Sequence, residues 1–149
     1  MDFHLEIDPD VPRTQVRVRA RYVDEDVARL QAFVTGLDQP HLTRVVGTRG
    51  EVARVLQLRE IMRFFTSEKK VFAQTKDGDW QVRLRMHELQ QGLPAQEFIR
   101  INQGEIVNLA AVKRLDLSSS ASIGLSLVDG TRCFVSRRSL AAFRRCLGI

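Results

Sequence analysis

Apolar and polar positions alternate in short runs along most of this chain, which predicts many strands and few helices. In TQVRVRARY, Val16, Val18, Ala20 and Tyr22 alternate with Arg17, Arg19 and Arg21, the period-two pattern of a half-buried strand. DEDVARLQAFVTGL then switches to helical spacing. Asp24, Glu25 and Asp26 suit the positive end of a helix, Val27, Leu30 and Val34 form one stripe, and Gly36 suits a stop. HLTRVVG predicts a further strand. Residues 1–45 therefore read as a small α/β segment.

Beyond Gly50 the pattern is mainly β. VARVLQL and IMRFFT are predicted strands, and KVFAQTKDGDWQVRLR is the clearest hairpin, with Asp77-Gly78 as its tight turn. In its second strand Trp80, Val82, Leu84 and Met86 share a face opposite Gln81, Arg83 and Arg85. MHELQQGLP predicts a short helix with Leu89 inward, ended by Gly92 and Pro94. FIRIN, VKRLDLS, SIGLSLV and TRCFV are further strands, with Asp129-Gly130 as a second hairpin turn. The last helix is expected to begin at Arg137-Arg138, with Ser136 or Ser139 as its cap and Leu140, Phe143 and Leu147 as its apolar stripe.

Charge sharpens this division. Residues 1–45 hold six Lys/Arg against eight Asp/Glu, whereas residues 46–149 hold 17 against 10. All the excess positive charge follows the first third, and a pI near 9.9 points to a polyanionic partner. Cys133 and Cys146, the only cysteines, lack the spacing of a disulfide framework or a metal knuckle and fit a reducing, cytoplasmic setting. The N-terminus lacks the basic-then-apolar order of a signal peptide, and no apolar run approaches the ~20 residues that span a bilayer.

Enzyme chemistry finds no foothold. His4, His41 and His87 are far apart, which implies no metal site. There is no glycine-rich phosphate cradle or nucleophile elbow, and nothing supplies Ser136 with a general base. No catalytic residue and no cofactor is implied. The polar run Ser118, Ser119, Ser120 and Ser122 is most simply a turn. The basic segments say more. Lys69-Lys70, the set Arg100, Asn102 and Gln103, and the pair Arg137-Arg138 each combine groups that suit nucleic acid. Arginine can bridge guanine O6 and N7, Asn or Gln can match adenine, and lysine neutralises phosphate. Composition alone leaves DNA, RNA and an anionic membrane open.

The ordered set FFTSEKKVFAQT, RLRMHELQQGLP, EFIRINQGEIVNL, LVDG and FVSRR resembles a LytTR-type DNA-binding domain, a family of bacterial transcription regulators. The resemblance covers roughly residues 50–149. It implies a mainly β fold of small stacked antiparallel sheets with short helices, residues 46–149 forming the domain. It also implies that loops and strand ends, not a recognition helix, enter successive major grooves. Carried over by position, Ser67 to Lys70 match one contacting loop. Asn102 and Gln103 follow the family's Phe-x-Arg motif, and Arg137 matches a base-reading arginine. Arg100 and Arg138 fall to phosphate or structural roles and Asn108 to ordering the local backbone; Arg145, on the last helix, adds a phosphate contact to this reading. Where the family often has His in the first loop and His-Arg-Ser after the arginine, this chain has lysines and Asn102-Gln103-Gly104-Glu105. Glu105 should therefore face away from the DNA backbone, and the operator should differ from those of better-matched relatives.

Residues 1–45 are too few for the receiver domain of familiar members, so the chain resembles the stand-alone subgroup. That implies double-stranded DNA as partner, a homodimer on repeated half-sites, and for some of the subgroup a small restraining membrane protein. The acidic first segment suits contact with a second copy or a regulatory partner. The rival reading is a protein-interaction module that turns its basic face to an acidic partner.

Overall fold

The computed structural model describes residues 4–37 and 41–149. The chain divides into two compact units, residues 1–40 and 41–149.

In the first unit, α1 (Glu25–Leu37) starts where the acidic run predicts, and the Asp24 carboxylate accepts a hydrogen bond from Val27 N at 2.9 Å. The helix runs through Gly36 and does not stop there. Val16 and Val18 lie along its stripe of Val27, Leu30 and Val34. The strand predicted over 16–22 does not form. Alternation assigns side chains to two faces, but a ladder needs a neighbouring strand, and these residues stay unpaired.

The second unit is mainly β. Its large sheet contains β1 (Arg44–Arg49), β2 (Val52–Gln57), β3 (Arg63–Ser67), β4 (Lys70–Thr75), β5 (Gly78–Val82), β6 (Phe98–Asn102) and β7 (Glu105–Asn108), in the order β2-β1-β5-β4-β3-β7-β6. A smaller antiparallel sheet, β10-β9-β8, uses β8 (Val112–Asp116), β9 (Ile123–Leu127) and β10 (Arg132–Val135). Two helices complete it, α2 (Met86–Gly92) and α3 (Leu140–Leu147). HLTRVVG, expected with the N-terminal segment, supplies β1, which pairs with β2 and β5 of this unit. The IVN run, which carries no clean alternation, becomes β7 because its two faces serve different cores.

Those cores lie on opposite sides of the large sheet. One gathers Leu56, Phe64, Trp80, Leu89, Phe98 and Ile106 under α2. The other gathers Ile101, Val107, Ile123, Leu125, Val135 and Phe143 between β6-β7, the small sheet and α3. Neighbouring Ile106 and Val107 thus point into separate interiors, as pleating requires. Gly47 is obligatory where β1 crosses Trp80, since a Cβ there would lie 2.6 Å from the Trp80 Cβ.

Local expectations shift in three places. The β4–β5 turn is centred on Lys76-Asp77, and Gly78 opens β5 with φ +106, so glycine serves the strand entry. β5 ends at Val82, although Leu84 and Met86 still pack into the first core. α3 begins at Leu140, with Ser139 at its cap position and no side-chain capping bond, leaving Arg137 and Arg138 in the preceding turn. Gly148, at φ +68, closes the helix.

Candidate nucleic-acid interface

Three turns carry the basic segments, and backbone hydrogen bonds draw them together. The first is the two-residue β3–β4 turn Glu68-Lys69, flanked by the Ser67–Lys70 pair. Both turn residues have positive φ, 50° and 63°, which matches the twist of a hairpin but is costly for side chains other than Gly or Asn. Lys69 and Lys70 stand exposed. The second turn, Gln103-Gly104, joins β6 to β7. Thr66 N donates to Gly104 O at 2.9 Å, seating the first turn's strand beside it. The third is the segment from Ser136 to Ser139 between β10 and α3. Ser136 N donates to Ile101 O at 2.8 Å, and Asn102 Nδ2 donates to Phe134 O at 3.0 Å. Segments about 35 residues apart in sequence therefore meet at one edge of the molecule.

The predicted site residues divide by their partners. Arg100 folds back onto its own hairpin: Nη2 donates to Gln103 O at 2.7 Å, Nε to Asn102 O at 3.3 Å and Nη1 to Gln90 Oε1 at 2.9 Å. Both ends of the Asn102 amide are engaged, since Oδ1 also accepts from Gly104 N at 2.9 Å. These two shape the turn. Gln103, Arg137 and Arg138 are exposed, with side chains that enter none of these bonds, and so present free donors and acceptors outward. Arg145 is exposed on α3 and reaches back to Ala141 O at 3.4 Å.

Behind the turns lies a polar strut that periodicity alone could not reveal. Arg63 Nη1 sits 3.4 Å from Glu105 Oε2 and 3.7 Å from Cys133 Sγ, while its Nε donates to Gln74 Oε1 at 2.5 Å. Gln74 Nε2 reaches across to Asp129 Oδ2 at 2.7 Å and Thr131 Oγ1 at 2.9 Å, in the β9–β10 turn. The strut thus ties the large sheet to the small one. It also engages Glu105, whose half-buried carboxylate turns to Arg63. At 3.4 Å the contact is an ion pair without hydrogen-bond geometry at Oε2. Burial, reinforced by Glu105, pushes the Cys133 thiol up to about 12, against the opposing pull of Arg63; it stays protonated and unreactive. Burial would raise Asp129, but bonds from the Thr131 backbone and hydroxyl and from Gln74 outweigh it and hold its carboxyl below 3.8. Asn108, buried, donates to Ile61 O at 2.9 Å and accepts from Ala110 N at 3.0 Å, ordering the backbone after β7.

Comparisons with known proteins identify the family and the fold. Residues 51–148 match the LytTr DNA-binding domain family. Two uncharacterized HTH-type transcriptional regulators of Staphylococcus aureus, from strains bovine RF122 / ET3-1 and NCTC 8325 / PS 47, are 28% identical over 149 residues, spanning 100% of this chain and 99% of theirs. The solved LytTr DNA-binding domain of a Bacillus cereus protein superposes with a TM-score of 0.70 at 22% identity, over 72% of this chain and 99% of that one, and so shares the fold. Among the described residues no helix is long and apolar enough to cross a membrane. A mainly β unit of stacked antiparallel sheets, a family match over most of its length and a gathered edge of basic turns lead to one assignment: this chain belongs to the LytTR family of DNA-binding domains.

Proposed function

We propose that the chain is a cytoplasmic transcription regulator that binds specific double-stranded DNA as a homodimer on repeated half-sites. The turns at 67–70, 102–104 and 136–138 enter successive major grooves. Gln103 and Arg137 read base edges, where an exposed amide and a guanidinium suit adenine and guanine. Lys69, Lys70 and Arg138 neutralise phosphates and supply sequence-independent affinity. Arg100 and Asn102 are positioning residues that hold the Gln103 turn. The observation that carries this reading is the convergence of the Lys69 turn, the Gln103 turn and the Arg137-Arg138 segment through the Thr66–Gly104 and Ser136–Ile101 hydrogen bonds.

Selection of bound duplexes from a random pool by the full chain tests it. A repeated motif should be enriched. Arg137→Ala should then lose ~1–3 kcal/mol on the selected site and relax one base position, while binding random DNA as before. Equal losses on selected and random DNA would remove Arg137 from base reading. A pool without enrichment would turn the basic face toward an acidic protein partner.

A further inference from the structure

Residues 4–37 contain no buried side chain; only Val27, Leu30, Val34 and Gly36 are even half covered. Large apolar groups stand in the open, with Ile7 81%, Val23 77%, Tyr22 71%, Leu37 65% and Phe33 53% exposed. On α1, Phe33 and Leu37 extend the Val27, Leu30 and Val34 stripe around the helix, beyond the part that Val16 and Val18 overlie. A helix of 13 residues is marginal without tertiary packing. Units of about 40 residues or fewer ordinarily rely on disulfides, metals or association. Residues 1–40 contain no cysteine, and among the described residues no group of His, Cys, Asp and Glu could hold a metal ion. Association remains.

Charge identifies the associate. Residues 1–40 carry eight acidic against five basic groups, so this unit repels DNA. Glu6 precedes the turn to which Asp8 and Asp10 belong, and Arg17, Arg19 and Arg21 follow it, all exposed. Neither run can face itself in a symmetric pair without setting like charges opposite each other. Segment 4–10 of one copy against segment 16–22 of another places carboxylates across from guanidiniums twice, once in each half of a two-fold assembly. Residues 16–20 carry no regular secondary structure, 21–22 form a bend, and the backbone groups of this segment make no ladder.

We propose that residues 4–37 are a dimerisation element whose occupant is the same element of a second copy. The two α1 stripes cover one another, and the acidic 4–10 segment of each copy lies along the basic 16–22 segment of its mate. The inference rests on the dimeric reading above and gives it an interface within residues 4–37, in a different unit from the one that carries the basic turns.

Sedimentation or light scattering on the full chain decides it. Wild type should run with the mass of two chains. Leu30→Asp/Phe33→Asp should run as one chain while keeping the wild-type unfolding transition of residues 41–149. Arg17→Glu/Arg19→Glu/Arg21→Glu and Glu6→Arg/Asp8→Arg/Asp10→Arg should each be monomeric alone, and mixing them should restore a dimer. A wild type that stays monomeric overturns the inference, as does a dimer that survives Leu30→Asp/Phe33→Asp or a mixture that fails to pair. A monomeric wild type that still selects one DNA sequence would sink the dimer element and leave DNA binding intact. A dimer that selects none would do the reverse.

Discussion

Residues 41–149 enclose most of their apolar side chains in two cores, whereas residues 4–37 leave theirs half covered or open. Sequence patterning is amphipathic in both regions, so pattern alone does not distinguish a finished fold from an unfinished one. The difference lies in partners. In the second unit every apolar face of β6 and β7 finds a helix or another sheet to meet. In the first, among the described residues, α1 has only the segment that carries Val16 and Val18 along its stripe. Amphipathicity tells which side wants cover, and the number of elements available decides whether the chain can provide it.

The largest effect should come from paired substitutions across this divide. Phe64, fully buried, and Phe33, 53% exposed, are the same side chain in opposite settings. Phe64→Ala should cost about 3–5 kcal/mol in chemical denaturation of the 41–149 unit. Phe33→Ala should shift the same transition by no more than about 0.5 kcal/mol. Comparable losses in both would mean that the first unit is part of the second unit's core.

A smaller effect separates the cores from the contact edge. Glu68 and Lys69 hold left-handed backbone without being Gly or Asn. Glu68→Asn/Lys69→Gly should raise stability by about 1 kcal/mol, because these residues adopt that turn with less strain. The same change should weaken all DNA sequences alike and reduce the salt dependence by about one phosphate contact. Stability gained with DNA affinity unchanged would remove this turn from the interface.

The smallest effect concerns pH. Asp129 is held below 3.8 in the folded state by Thr131 and Gln74. Its contribution is therefore fully present above the ordinary aspartate range and is lost as pH falls through its lowered native value. Acid unfolding curves of wild type and Asp129→Asn should converge below that value and separate above it. Parallel curves would mean that the Gln74 strut does not depend on this charge.

Much of this architecture was legible in the sequence, for identifiable reasons. Strands β2 to β6 and β8 to β10 announce themselves because each has one apolar face or a glycine-bearing turn beside it. The Asp77-Gly78 turn was displaced by one residue, since glycine can serve either a turn centre or a strand entry. HLTRVVG looked like a companion of the first unit because it follows α1. Its pairing with β2 and β5 is a long-range fact that no local pattern encodes. The segment 16–22 has the alternation of a strand but no partner in its own chain.

At the site, the basic segments stood out by composition, but their division of labour did not. Arg100 and Asn102 look as available as Gln103 in the string EFIRINQGEIVNL. Only the hydrogen bonds to Gln90, Gln103 O and Phe134 O show them turned inward. The Arg63, Gln74 and Glu105 strut escaped notice because its members are widely separated, and each alone resembles a surface residue of a strand. An acidic residue beside a predicted DNA loop was the one available hint, since Glu105 had to go somewhere other than the phosphates.

The two backbone bonds that lash the turns together, Thr66 N to Gly104 O and Ser136 N to Ile101 O, also fix their spacing. If the turns enter the grooves as proposed, they act as a comb with set teeth, and a duplex whose grooves do not match that pitch has to bend or retwist to accept it. Bending energy varies with base composition. Operator choice should accordingly depend on how readily the DNA between the teeth deforms, at base pairs that no side chain reaches.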